Sequence, residues 1–177
     1  MVETVRVRRL DPLGDREIEE LSDVLIDCVE GGASVSFMLP MTRGKALAFW
    51  RKIAASEARG ERVVLAAEDA AGTILGTVQL ILDLPENQPH RADLAKMLVH
   101  RRARRRGVAA ALLAAAEDSA IHAGRTLLVL DTVTGSDAER LYARHGWQRS
   151  GEIPDYALWP DGRPCPTTFY FKSLAKA

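Results

Sequence analysis

Residues 97–113 read MLVHRRARRRGVAAALL. An apolar stretch, Met97 to Val99, gives way to five arginines in the six positions 101–106, then to Gly107 and an alanine-rich run. The order is strand, loop, glycine, helix start. At a helix start the first backbone N–H groups have no intrahelical partner, so the position suits an anion. Gly107, and nearly as well Ala109, lets a ligand approach the backbone, and guanidinium groups favour phosphates. The run therefore has three readings: a solvated charged turn, a nucleic-acid patch, or a pyrophosphate cradle.

Its surroundings form a β–α–β pattern. DLAKMLVH (93–100) reads as a strand, 106–123 as an alanine-rich helix suited to close packing on a sheet, and TLLVLDT (126–132) as a continuous apolar strand. Such a unit makes its two strands parallel. Upstream, Val5, Val7 and Arg9 alternate with Arg6 and Arg8 as a short edge strand. Asp15 is placed to cap a helix to about Glu30, with Ile18, Leu21, Leu25, Cys28 and Val29 as its buried stripe and Gly31-Gly32 as its end. Thr42 caps a second helix to about Arg59, with Leu47, Trp50 and Ile53 or Ala54 inward. RVVLAAE (62–68) and TILGTVQLIL (73–82) form a hairpin around Asp69 and Gly72. Downstream, a helix over 136–145 ends at Gly146, and two strands flank PDGRP (160–164). This order predicts an α/β fold, a mixed sheet with helices on both faces.

The length, 177 residues, suits a single domain over 1–177. Lys+Arg and Asp+Glu both number 24, which excludes a globally basic nucleic-acid binder. No aromatic residue lies within 93–125, which further weakens the nucleic-acid reading. Cys28 and Cys165 form no CxxC, and His90, His100, His122 and His145 show no metal spacing, so no metal is expected. The charged N-terminus has no apolar leader core and no long apolar run follows it, so a cytoplasmic protein without a membrane span is expected.

Neither a Walker loop nor a GxGxxG is present. Instead Arg104-x-x-Gly107-x-Ala109, after a strand and opening a helix, resembles the Q/R-x-x-G-x-G/A motif of the GCN5-related N-acetyltransferase (GNAT) family. GSDAERLYARHGW (135–147) resembles that family's later N-x-x-A-x-x-x-Y-x-x-x-G-F signature, with Ala138, Tyr142, Gly146 and Trp147 in place and Gly135 departing from the asparagine. The resemblance implies the GNAT fold: a twisted, mostly antiparallel sheet of about seven strands, helices on both faces, and a central βαβ unit whose parallel strands splay. It implies acetyl-CoA as cosubstrate and direct transfer to the primary amine of a small molecule. By the same resemblance, Arg104, Arg105, Arg106, Gly107, Val108 and Ala109 bind the pyrophosphate. Backbone groups of Met97 and Val99 hold the pantetheine, and an N–H near Leu98 or Val99 is the oxyanion donor. Tyr142 is the acid near the thioester sulfur, and Asp131 is a base or an ammonium anchor. Glu152 ranks below Asp131, Glu68 and Asp69 are read as turn residues, His100 as solvated, and Trp50 and Trp159 as packing groups.

Blocks at 31–38, 91–99, 130–139, 151–156 and 160–174 resemble the tabtoxin-resistance branch of that family. This implies an amino-acid-like or β-lactam antimetabolite as acceptor, a role of the antibiotic-resistance type, and a substrate wall at Gly32, Ala33, Ser34 and Phe37. Family resemblance also raises a homodimer built through the C-terminal strands. The alternative is a catalytically inactive module that binds acyl-CoA or nucleic acid through the arginine-rich loop.

Overall fold

The computed structural model describes residues 5–174; the first four residues of the charged N-terminus and residues 175–177 lie outside it. Seven strands form one sheet: β1 (Arg6–Arg9), β2 (Arg62–Glu68), β3 (Ile74–Ile81), β4 (Arg91–Val99), β5 (Leu127–Val133), β6 (Gln148–Leu158) and β7 (Pro164–Ser173). Their spatial order is β1-β2-β3-β4-β5-β7-β6. Every neighbouring pair is antiparallel except β4 and β5. Helices α1 (Asp15–Glu30) and α2 (Arg43–Ala58) cover one face, and α3 (Val108–His122) and α4 (Asp137–Arg144) the other.

Strand β2 shows why its sequence is continuously apolar. Val63, Leu65 and Ala67 point into the core beneath α3, while Val64 and Ala66 point into the core beneath α1 and α2. A strand covered on both faces loses its polar alternation. Helix α1 buries Ile18, Leu21, Leu25, Cys28 and Val29, the stripe its spacing predicts. Its N-cap is Gly14, without a side-chain cap; Asp15 is the first helical residue instead, where its charge meets the positive end of the helix. Thr42 does cap α2, accepting from the Lys45 amide at 3.2 Å.

Two further sequence expectations are corrected. Glu68 is the last residue of β2, not part of the turn; it is buried and accepts from Arg8 Nε at 2.8 Å. Asp69 alone shapes the turn, its Oδ1 accepting from the amides of Ala71 and Thr73, both at 2.9 Å. The crossover helix begins at Val108, not 106, because Arg105 (φ 60°) and Gly107 (φ 80°) are left-handed and residues 101–103 form a separate 3₁₀ turn.

Two features set up the opening described below. The parallel pairing of β4 with β5 covers only Arg91–Asp93 against Leu127–Val129. Beyond it β4 stays on β3 while β5 stays on β7, so the two strands part. Strand β4 also carries a bulge: its register with β3 shifts between Thr77 and Gln79, and Lys96 there is left-handed at φ 52°.

Helix α3 lies very close to this region. A Cβ at Gly76 would sit 2.7 Å from the Leu98 carbonyl oxygen, 3.2 Å from Val108 Cγ1 and 3.3 Å from Leu112 Cδ1. Since a backbone oxygen cannot swing aside, Gly76→Ala should lower the unfolding free energy by about 1–3 kcal/mol. Urea unfolding should show this as a lower midpoint at unchanged slope.

Candidate active site

The site begins where β4 leaves β5. Their facing edges are paired with each other only at 91–93 and 127–129, so the backbone beyond is open to an extended ligand, as at any sheet edge. Leu98 is buried in the core beneath α1 and α2, whereas Met97 and Val99 are half-buried against the α3 core. The Val99 carbonyl accepts from Cys28 Sγ at 3.5 Å and from Arg104 Nε at 3.4 Å.

The loop between β4 and α3 is anchored before it reaches the helix. Asp27 of α1 accepts from the Arg101 amide at 2.8 Å and from its guanidinium Nε at 2.9 Å. His100 is half-buried rather than solvated, with Nδ1 3.5 Å from Asp27 and 3.2 Å from the Arg102 amide, which donates to it. Burial pushes the Asp27 carboxyl up, but the Arg101 hydrogen bonds and the neighbouring positive charges outweigh it, and the pKa lies below its ordinary value. Burial, helped by Arg102 and Arg101, lowers His100 despite the nearby Asp27. Ala103 is fully buried, whereas Arg104, Arg105 and Arg106 are exposed. Gly107 is the N-cap of α3 and supplies no side-chain acceptor to the first-turn amides. Its surroundings are open, so glycine is required here by its left-handed φ of 80°, not by a close neighbour. Val108 is buried beneath the turn and Ala109 is half-buried. Uncapped amides beside exposed guanidinium groups fit a diphosphate.

Strand β5 separates two environments at the opening. Leu130 faces the α3 core, where Tyr142 of α4 is 3% exposed and its ring lies 5.7 Å from Trp147 and 6.4 Å from Tyr170. Among the described residues no hydrogen bond reaches the Tyr142 hydroxyl. Its pKa is raised well above the ordinary tyrosine value, by burial first and then by the negative charge of Asp131. Asp131 itself is exposed, pairs with Phe169 of β7, and points to the other face of the sheet. Around Gly135, Glu139 takes the Gly135 amide and the Tyr170 hydroxyl, the latter at 3.0 Å, while Ser136 caps α4. Glu152 is exposed on edge strand β6 and paired with Arg149 at 2.8 Å.

On Asp131's face, α1 and α2 cover β2–β4, and the segment 31–39 extends toward the β6–β7 turn. Ser34 Oγ donates to the Leu158 carbonyl at 2.8 Å and the Leu39 amide to the Pro160 carbonyl at 3.0 Å. Phe37 stacks edge-on against Phe49 of α2 at 5.1 Å. Gly32 is exposed at φ 88°, and Ala33 is packed against the α1–α2 core. Sequence reasoning passed over one residue of this region, Lys96. It donates to Ser36 Oγ at 2.8 Å from the β4 bulge. Its signal was a single cation inside the otherwise apolar stretch LAKMLV.

Comparisons with known proteins agree with this geometry. The sequence profile of the acetyltransferase (GNAT) family matches residues 33–147. The chain is 30% identical over 129 residues, 72% of this chain and 74% of its relative, to an uncharacterized N-acetyltransferase in the hisH-hisA intergenic region of Azospirillum brasilense. Among solved structures it is similar to a putative acetyltransferase (ACIAD1637) from Acinetobacter baylyi ADP1, at TM-score 0.83 and 17% identity over 100% of this chain and 97% of that one. It is similar also to the putative acetyltransferase yncA from Salmonella typhimurium with its cofactor acetyl-CoA, at TM-score 0.78 and 18% identity over 98% and 95%.

The Asp27 clamp has a defined pH response. Its depressed pKa means that its stabilising contribution is complete above the ordinary carboxylate value and is lost as pH falls through the depressed one. Asp27→Asn should therefore lower the thermal midpoint at neutral pH and flatten the loss of stability below about pH 4. A midpoint-versus-pH series on both proteins checks this.

Proposed function

We propose that this chain, which belongs to the acetyltransferase (GNAT) family, passes the acetyl group of acetyl-CoA directly to the primary amine of a small molecule in a ternary complex. The supporting observation is the opening between β4 and β5, with Tyr142 on one face of β5 and Asp131 on the other. Acetyl-CoA supplies a thioester carbonyl for attack and a thiolate as leaving group. Residues 1–177 act as one N-acetyltransferase domain in this reading.

The roles in this reading are those the family resemblance implies. The first-turn amides of α3 at Val108 and Ala109, with Arg104, Arg105, Arg106 and the Gly107 turn, hold the diphosphate. Backbone groups of Met97 and Val99 pair with the pantetheine as an added strand would. An amide N–H at Leu98 or Val99 stabilises negative charge on the thioester oxygen. Asp131 holds the acceptor's ammonium and takes the proton that the amine must lose. Tyr142 donates a hydrogen bond to the departing sulfur. Its raised pKa keeps it protonated at neutral pH, and makes that hydrogen bond, rather than a free proton release, its main contribution.

The acceptor is amino-acid-like, a β-lactam or related antimetabolite in a resistance-type role, and the segment Gly32, Ala33, Ser34 and Phe37 forms its wall. In this reading Ser34 and Phe37 shape the wall through the β6–β7 turn and α2. The protein works in the cytoplasm, and two copies pair through β6, whose exposed Ile153, Tyr156 and Leu158 support self-association. The nucleic-acid alternative loses support because Arg101 is committed to Asp27.

Tyr142→Phe should lower kcat roughly 100-fold with acetyl-CoA affinity unchanged; a thiol-release assay with an amine panel and calorimetry read the two quantities. Wild-type turnover would remove Tyr142 from the mechanism. Gly107→Glu, which adds a like charge to the anion site and strains a left-handed position, should abolish calorimetric acetyl-CoA binding.

A further inference from the structure

The face of the sheet that carries Asp131 also carries two cations, Arg62 and Lys96. Cross-strand partners share a face, so Arg62, Gln79, Asp93, Ala95, Val129 and Asp131 all lie on the side of the sheet away from α3. Arg62 donates to Gln79 Oε1 at 3.0 Å and to Ser56 Oγ at 3.2 Å. Gln79 is fully buried, and its Nε2 has no hydrogen-bond partner. Among the described residues neither Arg62 nor Lys96 forms an ion pair. Asp93, a carboxylate on this face, is held by Arg91, and the negative charges of Glu61 and Asp83 act on Arg62.

Lys96 is placed at some cost. It takes a left-handed backbone conformation inside the bulge, where lysine is uncommon, and its ammonium is held by a single neutral partner, Ser36 Oγ. Burial lowers its pKa; the negative charge of Asp131 opposes this, and the positive charge of Arg62 adds to it. Lys96 on β4 and Asp131 on β5 both lie beyond the last paired residues of the two strands, Asp93 and Val129, and do not close into an ion pair. Two opposite charges held apart across an opening match a ligand that carries both.

We infer that Lys96 reads a carboxylate of the acceptor while Asp131 holds its ammonium, so that the acceptor is a zwitterionic amino acid. Arg62 and the Gln79 amide lie behind Lys96 on the same face. The inference rests on the transfer reading above for the word acceptor, but its test is a binding experiment.

Matched pairs of L-amino acids and their carboxamides are titrated calorimetrically into protein saturated with coenzyme A. The acids should bind roughly 10- to 100-fold more tightly than their amides. Lys96→Met, which keeps the aliphatic stem, should erase that preference by weakening the acids alone, and Lys96→Arg should restore part of it. In turnover, Lys96→Met should raise KM for acids with kcat within about twofold, whereas a merely structural role would lower kcat for acids and amides alike. Equal binding of acids and amides by the wild-type protein, or binding of neither, overturns the inference, and this comparison is independent of how any variant folds. Preferential binding of acids without coenzyme A release from acetyl-CoA would leave Lys96 as a carboxylate reader and refute the transfer reading instead.

Discussion

Strands β4 and β5 are hydrogen-bonded over three residue pairs and then part. The separation follows from what holds each strand on its far side. Strand β5 remains in register with β7 from Leu127 to Val133. Strand β4 is pulled the other way: it follows β3 through a bulge, Leu98 is sunk beneath α1 and α2, and α3 presses Val108 and Leu112 against Gly76. Each contact is ordinary packing, but together they leave two strand edges facing an opening in the middle of a sheet. Unpaired backbone groups there are costly unless water or a ligand meets them.

The distribution of charge follows the same opening. The chain carries as many acids as bases, yet five arginines precede α3. One of them, Arg101, is tied with His100 to Asp27 and fixes the start of the loop to α1. Arg104, Arg105 and Arg106 remain at the uncapped start of α3, where the helix dipole has the same sign. Beyond the last β4–β5 pair, Lys96 is bonded to Ser36 and Asp131 is exposed on the face of the sheet away from α3. An arginine-rich end and a mixed-charge end thus lie along the same opening.

The helical stripe of α1, the Thr42 cap, the β2–β3 hairpin and the parallel βαβ unit were all legible in the sequence, because each depends on residues near one another along the chain. The elements that carry Tyr142 and Asp131, α4 and β5, were legible too. Glu68 and His100 were misread. Both looked like exposed polar residues beside a turn, but Glu68 is buried against Arg8, sixty positions away, and His100 is half-buried against Asp27 on α1. Local composition carries no information about a partner that distant.

Periodicity and the order of elements, by themselves, determined the layers, the strand directions and the glycine that precedes the crossover helix, since those follow from short-range backbone geometry and from the faces that apolar side chains must bury. Only the tertiary structure decided where β4 parts from β5, that Arg101 is structural, and that Lys96 reaches Ser36 from a bulge. The bulge that turns Lys96 arises from a mismatch in register between two strands. Register is a property of the paired strands, and neither strand's sequence states it alone.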